Sequence, residues 1–241
     1  LGSVLSGGDS EPPDVSPRGW QRMVEAFEKQ ALTTRLRIPL IYGIDAVHGH
    51  SNVRGATIFP HNIGLGCTRN PKIVEEAGRI TAREVAATGI HWNFAPCIAV
   101  PQVERWGRTY EGFGETPELA VLLGPPAIMG LQGGDMSAPG RVLATAKHFP
   151  GLGDTETNSH LAITSVTASR PRLDSLELLP FRRAIAAGVG GIMTFHGVVP
   201  GLDTTPVPVT LSSRVMTDLL RRDLGFDGLL ITDALDMTGV L

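Results

Sequence analysis

The chain has 241 residues, of which 42% are hydrophobic and 19% are charged, so it can build a core and is not an intrinsically disordered chain. Its 21 basic and 24 acidic side chains leave a formal net charge of -3. This balance argues against a nucleic-acid partner, because nucleic-acid-binding surfaces carry an excess of positive charge.

Short apolar runs of strand length alternate along the chain with longer stretches of helical periodicity. The runs are apolar throughout, without polar residues at every second position, so we expect strands that are buried on both faces, as in a parallel sheet. The predicted strands are 2–6, 38–45, 58–66, 90–98, 142–148, 190–196 and 228–233.

Five helices are predicted between these strands. Two have clear end signals, with Asn or Ser at the start and Gly at the end. The predicted helices are 19–34, the segment from Asn70 to Gly89, 117–132, 173–187 and the segment from Ser212 or Ser213 to Gly225.

The helix predicted over 117–132 contains Pro125 and Pro126, which we expect to break or kink it. The apolar stretch around these prolines, 119–134, is the longest in the chain. It stays short of the ~20 residues that a bilayer demands, so we predict no membrane partner.

Polar side chains that could take part in catalysis or binding lie at the carboxyl ends of five predicted strands. In a (β/α)8 barrel these ends meet at one mouth, whereas an open doubly wound sheet brings fewer of them together. We therefore predict an α/β fold of the (β/α)8 TIM type, forming a single catalytic barrel domain over 1–241. Seven predicted strands are one fewer than a closed barrel has, so we expect the barrel to be incomplete. The strand-end residues are Asp45, Asn93, Lys147, His148, His196 and Asp233.

The segment 226–237, FDGLLITDALDM, ends a buried strand in a carboxylate. Asp233 is ionised at neutral pH and rigidly held there, so it can attack an anomeric carbon as in retaining glycoside hydrolysis. The alternative is structural, with Asp233 or Asp236 accepting backbone N–H bonds at the start of the next helix. The residues alone leave both interpretations open.

A polar segment, 146–160, follows another predicted strand. Lys147 and His148 can donate to sugar hydroxyls, and His160 can transfer a proton if a neighbouring acid orients its ring. The alternative places Lys147 in a buried ion pair with an aspartate of an adjacent strand. It leaves His160 as a solvated loop residue.

The segment 105–115 concentrates aromatic side chains in a chain that is only 5% aromatic. With Arg108, they predict a surface on which a sugar ring stacks while the guanidinium binds its hydroxyls. The alternative is an ordinary loop in which Arg108 pairs with Glu111 or Glu115. The aromatic residues are Trp106, Tyr110 and Phe113.

Three histidines, His48, His50 and His61, lie close together in the sequence. Their spacing lacks the helical HExxH pattern and the cysteine pairs of zinc sites, so we predict no catalytic metal.

Three segments, in this order, resemble the N-terminal barrel domain of glycoside hydrolase family 3. They are IPLIYGIDAVHGHSNVRGATIFPHNIGLG, FAPCIAV and RWGRTYEGFGE. They are similar to segments of the family's β-glucosidases and exo-β-glucanases. The resemblance implies an exo-acting retaining β-glycosidase that releases terminal nonreducing β-D-glucose from β-glucosides or β-glucans.

The resemblance also implies roles for the strand-end residues. Asp233 would be the nucleophile that forms a covalent glycosyl-enzyme, and His196 would be another pocket-lining residue. No metal or organic cofactor is implied, the partner is an oligosaccharide or β-glucoside substrate, and the location is secreted or periplasmic. No oligomeric state follows. The residues implied to bind hydroxyls of the terminal sugar are Asp45, Arg108, Lys147 and His148.

The resemblance leaves two candidates for the acid/base residue. In the β-glucosidase branch it is a Glu of a second, α/β sandwich domain, which we expect downstream of Leu241. In the β-N-acetylglucosaminidase branch it is a loop His, which His160 matches in KHFPGLGDTETNSH. Asn158 stands where that branch has a supporting Asp, and an amide cannot stabilise an imidazolium as a carboxylate does. The alternative functions are therefore a β-N-acetylglucosaminidase, or a catalytically inactive carbohydrate-binding fragment.

Overall fold

The structure, a computed structural model, describes residues 2–7 and 10–240. Six parallel strands form one curled sheet, a half-barrel, in the order β1-β2-β3-β4-β6-β8. A separate parallel pair consists of β5 and β7. The strands are β1 (Ser3–Ser6), β2 (Ile41–Ile44), β3 (Trp92–Asn93), β4 (Leu143–Phe149), β5 (Thr164–Ser165), β6 (Gly191–Thr194), β7 (Gly197–Val198) and β8 (Leu229–Thr232). The α/β class and the incomplete barrel predicted from the sequence are confirmed.

Helices connect the strands of the large sheet, as parallel pairing requires. Among the described residues, no helix combines the length and the apolar character that a membrane span requires. The α-helices are α1 (Pro17–Leu32), α2 (Asn62–Thr68), α3 (Pro71–Ala87), α4 (Pro117–Gln132), α5 (Arg170–Ser175) and α6 (Leu178–Ala186). A π-helix spans Arg214–Asp223, and three 3-10 turns span Glu104–Trp106, Thr109–Glu111 and Val209–Leu211.

The strand predicted over 58–66 is wrong, because the short helix α2 begins within this segment, at Asn62. Pro60 has no N–H to donate to a β-ladder, which disfavours a central strand there. The Asn62 side chain instead donates to the carbonyl oxygens of Cys97 at 3.3 Å and Glu111 at 2.8 Å. These bonds fix α2 against the segments that follow β3.

Of the break or kink predicted at Pro125 and Pro126, the break is wrong, since α4 continues through both prolines, and the kink stays a prediction. Tight packing against α3 accompanies this continuity. A Cβ atom added to Gly130 would lie 2.2 Å from the Glu75 carbonyl oxygen, so the two helices touch through their backbones. Such close packing can offset the backbone hydrogen bonds that the prolines cannot make.

The helix predicted over 173–187 is divided into α5 and α6 at Glu177. Glu177 is 2% exposed, and neither of its carboxylate oxygens has a hydrogen-bond partner in the described part of the chain. It packs under the loop that follows β4, because a Cβ atom on Gly151 would lie 2.5 Å from the Glu177 Cβ. Burial raises the pKa of Glu177 to about 7, with Arg172 opposing this rise and Asp154 adding to it.

This raised pKa predicts that the folded state becomes less stable as the pH rises from about 4.5 to about 7. Over that range the unfolded chain releases the Glu177 proton while the folded chain retains it. We expect Glu177→Gln to match the wild type at about pH 4.5 and to melt at a higher temperature at about pH 8. Thermal melting at both pH values tests this, with the exposed Glu25→Gln as the control. Equal melting temperatures at both pH values would show that Glu177 is solvated.

Candidate active site

One cleft of about 560 Å³ opens at the carboxyl ends of the strands. Its volume lies in the range of small-molecule sites. It brings together six of the seven residues to which the family resemblance assigns a role, and the seventh, His196, lies outside its lining. The six are Asp45, Arg108, Lys147, His148, His160 and Asp233.

Asp45 and Lys147 form an ion pair on one side of the cleft. The Lys147 Nζ atom donates to Asp45 Oδ1 at 2.6 Å. The two partners differ in exposure, since the Lys147 side chain is 7% exposed and the Asp45 side chain is 46% exposed. Burial lowers the pKa of Lys147, but the charge and hydrogen bond of Asp45 outweigh burial and hold it above its ordinary value. Lys147 is therefore a permanent cation with two further N–H donors.

Asn93, another strand-end residue, holds the segment that carries Asp45. It is fully buried, its Oδ1 accepts from the Ala46 backbone N–H at 3.0 Å, and its Nδ2 donates to the Ala46 carbonyl at 2.9 Å. Both hydrogen-bonding groups of the amide are thus directed at the backbone. Asn93 orients the chain after β2 and does not line the cleft.

Arg108 is buried and uses most of its donors within the protein. Its Nε and one terminal nitrogen donate to the two carboxylate oxygens of Glu111, at 2.6 and 2.8 Å. The terminal nitrogens also lie 3.0 Å from Ser159 Oγ and 3.0 Å from His148 Nε2. A guanidinium has five N–H groups, so this leaves one for a ligand. The pairing with Glu111 is the alternative that the sequence leaves open. Glu111 itself lines the cleft, and its i, i+3 spacing from Arg108 is the sequence signal for this pair.

His148 is neutral, and its hydrogen bonds define its tautomer. Burial lowers the pKa of His148 well below its ordinary value, and the charges of Arg108 and Lys147 lower it further. Arginine can only donate, so His148 Nε2 accepts from Arg108 and the ring proton sits on Nδ1. Nδ1 is buried without a partner among the residues described.

Asp233 lies in the cleft directly after β8, with its side chain 14% exposed. Its Oδ1 accepts from the Ala234 backbone N–H at 2.9 Å. Its Oδ2 is buried, lies 3.7 Å from His148 Nε2, and lacks a hydrogen-bond partner within residues 2–7 and 10–240. A buried carboxylate oxygen without a hydrogen bond is unfavourable unless a ligand or a reaction uses it.

His160 lies at the cleft, oriented by Asn158. The Asn158 Oδ1 atom is 3.0 Å from the His160 backbone nitrogen and 3.0 Å from the ring Nδ1. An amide oxygen can only accept, so Nδ1 carries the proton and Nε2 is the free ring nitrogen. Burial lowers the pKa of His160, the Arg108 charge lowers it further, and the Asp233 carboxylate only partly opposes them.

His196 does not line the cleft. It is fully buried, and its Nε2 lies 3.0 Å from both the Asp233 and the Ala234 carbonyl oxygens. Its Nδ1 lies 2.9 Å from Thr210 Oγ1. The pocket-lining, substrate-binding role that the resemblance implies for His196 stays a prediction, and in the structure the ring lies behind the backbone of Asp233.

The aromatic stacking surface predicted over 105–115 is wrong for two of its three rings. Trp106 and Phe113 are buried at 0% and 1% exposure and belong to the core, where large apolar rings gain most from leaving water. Tyr110 lines the cleft, and its ring packs edge-on against His61 at 4.7 Å between centroids. His61 also lines the cleft, although nothing in its sequence pattern predicts a role there.

The other two histidines of the early cluster have contacts within the protein. His48 lies 2.9 Å from the Phe59 carbonyl through Nδ1 and stacks with His61 at 4.1 Å between ring centroids. His50 is buried beside Thr88, and burial lowers its pKa to about 4.

Among the residues that the structure describes, one group of side chains has its potential ligand atoms close enough to share a cation. The ligand atoms of Cys97, Glu111 and His148 lie within 4.8 Å of one another. The group is unsuited to a resident metal, because burial raises the pKa of the Cys97 thiol to about 11. Glu111 and His148 are already bound by the Arg108 cation.

Comparison with known proteins identifies relatives of the whole chain. A family model described as "Glycosyl hydrolase family 3 N terminal domain" matches residues 1–241. A curated relative is the lysosomal beta glucosidase of Dictyostelium discoideum, 36% identical over 245 residues that cover 98% of this chain and 29% of that protein.

Two solved structures share the fold of this chain. One is a family 3 beta-N-acetylglucosaminidase from Paenibacillus sp. str. FPU-7, with a TM-score of 0.89, 36% identity, and coverage of 100% of this chain and 44% of that chain. The other is the exo-1,3/1,4-beta-glucanase of a Pseudoalteromonas species, with a TM-score of 0.86, 37% identity, and coverage of 96% and 29%. The chain thus spans less than half the length of these relatives.

Proposed function

The chain belongs to glycosyl hydrolase family 3, and from that membership we propose that the protein is an exo-acting retaining β-glycosidase. Its substrates would be β-glucosides or β-glucans, from which it releases the terminal nonreducing β-D-glucose. The observation that carries the proposal is the convergence of Asp233 with Asp45, Arg108, Lys147 and His148 in one cleft. A secreted or periplasmic location remains part of the proposal.

Asp233 would act as the nucleophile. One carboxylate oxygen attacks the anomeric carbon, the bond from that carbon to the glycosidic oxygen breaks, and the departing oxygen takes a proton from an acid. Water then attacks the same carbon and gives its proton to the conjugate base, which releases glucose and regenerates the carboxylate. Two inversions retain the β-configuration. The buried Oδ2, which no group in the described part of the chain hydrogen-bonds, and the neutral His148 beside it support a carboxylate that is not held in an ion pair.

The ion pair and the arginine would hold the sugar. Lys147 keeps two N–H donors after pairing with Asp45, and Arg108 keeps one after its contacts with Glu111, Ser159 and His148. The half-exposed Asp45 carboxylate can accept from two hydroxyls. This mixture of donors and acceptors suits a hydroxyl-rich ligand, and its rigid mutual bonding keeps it in place before the sugar arrives.

We propose that the proton donor of this reaction is a Glu supplied by a second domain of the complete protein. The first experiment is proton NMR of the hydrolysis of p-nitrophenyl β-glucoside by the complete protein. We expect the β-anomer of glucose to form first, because the proposed reaction inverts the anomeric carbon twice. If the α-anomer formed first, the anomeric carbon would have been inverted only once, and the covalent mechanism would be excluded.

A second candidate function is a β-N-acetylglucosaminidase in which His160 is the acid/base residue. It is favoured by the position of His160 at the cleft with Nδ1 bound to Asn158, which leaves Nε2 free for proton transfer. Two observations weaken it: the pKa of His160 is lowered, and its partner is a neutral amide. A general acid must be protonated at the working pH.

Asn158→Asp tests this candidate. A carboxylate beside the ring favours the imidazolium, so we expect the alkaline limb of the rate profile for p-nitrophenyl N-acetyl-β-glucosaminide to move up by about one pH unit. The pH dependence of kcat measures this, and NMR titration of the His160 ring shows directly whether its pKa has moved. The control is the same substitution in a His160→Ala background, where no shift is expected. If the pKa of the His160 ring moves in the NMR titration while the pH dependence of kcat does not change, His160 is not the acid/base residue.

A further inference from the structure

Asp233 is fixed by backbone contacts on both sides of its side chain. Its N–H donates to the Thr194 carbonyl at 3.0 Å, which extends the pairing of β8 with β6 by one residue. Beyond this point the ladder ends, yet the carbonyl oxygens of Asp233 and Ala234 both turn toward one buried group. That group is Nε2 of His196, at 3.0 Å from each oxygen.

The tautomer of His196 follows from these contacts. Carbonyl oxygens can only accept, so Nε2 must carry a proton and share it between the two carbonyls. On the other side of the ring, Nδ1 lies 2.9 Å from Thr210 Oγ1. That hydroxyl is itself 3.0 Å from the Phe195 carbonyl and 2.9 Å from Thr194 Oγ1. The ring is therefore bound through Nε2 to the turn after β8 and through Nδ1 to Thr210, whose hydroxyl contacts the end of β6.

His196 is also enclosed by the protein. His196 is fully buried, and it is absent from the cleft lining. The turn after Asp233 lies over it, because a Cβ atom on Gly239 would be 2.3 Å from the His196 carbonyl oxygen and 2.7 Å from its Cβ. A sugar in the cleft is separated from this ring by the backbone of Asp233 and Ala234.

We propose that His196 is a positioning residue, which orients the Asp233 carboxylate by donating its Nε2 proton to the two carbonyls of the turn, and that it does not bind the sugar. This inference rests on the proposed role of Asp233 as the nucleophile. Ala234 supplies the N–H that holds Asp233 Oδ1 at 2.9 Å, so a shift of the Asp233–Ala234 peptide moves the carboxylate directly. Displacing a reacting group by about 1 Å can lower a rate by about 10²-fold.

The test compares three substitutions in the complete protein. His196→Leu removes both ring nitrogens, His196→Gln keeps an N–H near the position of Nε2, and His196→Asn keeps one only near Nδ1. We expect kcat for p-nitrophenyl β-glucoside to fall by about 10- to 100-fold in the Leu and Asn proteins and to recover substantially in the Gln protein. The inhibition constant of glucose should stay within about twofold of the wild type in all three, because the sugar-binding groups are untouched.

Each outcome decides the proposal. A weakened inhibition constant with unchanged kcat would make His196 a sugar ligand and overturn it, and so would Gln and Asn proteins of equal activity. If the Leu protein does not fold, the contrast between the Gln and Asn proteins decides the matter, with melting temperatures as the measure of fold.

The proposed function is tested separately, by labelling the wild-type protein with a 2-deoxy-2-fluoro-β-glucoside carrying a dinitrophenolate leaving group. Absence of labelling in the wild type would remove the nucleophilic role of Asp233. Equal rates of labelling in the wild type and the Leu protein would remove only the role of His196.

Discussion

Asp233→Asn is expected to lower kcat for p-nitrophenyl β-glucoside by on the order of 10⁴-fold or more, because an amide is a poor nucleophile and the proposed reaction begins with attack by this carboxylate. The substitution preserves the volume of the side chain. Its amide oxygen can still accept from the Ala234 N–H, as Oδ1 does at 2.9 Å. The fold should therefore be unchanged, and the loss should appear in kcat more than in the binding of glucose.

A matched control lies three residues away. Asp236 is exposed and does not line the cleft, so Asp236→Asn makes the same chemical change on the same turn and should leave kcat within about twofold of the wild type. Mass spectrometry of protein treated with the fluoro-glucoside should find the sugar on the peptide that contains Asp233. A full rate in the Asp233→Asn protein, or a label on another carboxylate, would assign the nucleophile elsewhere.

The sequence predicts the carboxyl ends of β1, β2, β4, β6 and β8 to within two residues, because strands that are buried on both faces have uninterrupted apolar runs, whereas the strand predicted over 90–98 is only Trp92–Asn93. Asp45, Lys147 and Asp233 each follow such a run, and parallel pairing then places them at one edge of the sheet. The segment 58–66 shows the limit of this signal. It is equally apolar, but Pro60 and the side-chain contacts of Asn62 favour a helix, and those contacts reach residues far along the chain.

What the sequence could not show is which polar groups satisfy one another. The sequence leaves open whether Arg108 binds a sugar with its fork or pairs with Glu111 or Glu115, and the structure shows the fork on Glu111 across the 3-10 turn. His196 follows a strand just as Asp233 does. Only the structure shows that its ring points behind the cleft. Position at a strand end is a property of the chain, whereas the direction of a side chain depends on distant partners.

The Asp45–Lys147 ion pair leads to the second prediction with a large expected effect. We expect substitution of Asp45 to destabilise the fold more than substitution of Lys147. The two residues are 102 positions apart in the chain, and Lys147 is far more buried than Asp45, at 7% against 46% side-chain exposure. Asp45→Asn removes the anionic partner of a buried ammonium, which then keeps only the weaker attraction of Glu111 against the like charge of Arg108, and should lower the free energy of unfolding by about 3 kcal/mol. Lys147→Met removes the buried charge and leaves a half-exposed carboxylate that water can solvate, so its cost should be about 1 kcal/mol.

Urea denaturation of the wild type, the two single variants and the double variant Asp45→Asn/Lys147→Met measures this asymmetry. The double variant should be more stable than Asp45→Asn alone, because removing the stranded ammonium relieves the penalty. Under the proposed function Lys147→Met should nonetheless lose most of its activity, since it removes donors to the sugar while keeping the fold. Equal destabilisation by the two single substitutions would mean that water reaches Lys147 as freely as Asp45. The ion pair would then contribute no more to stability than one formed by an ordinary surface lysine.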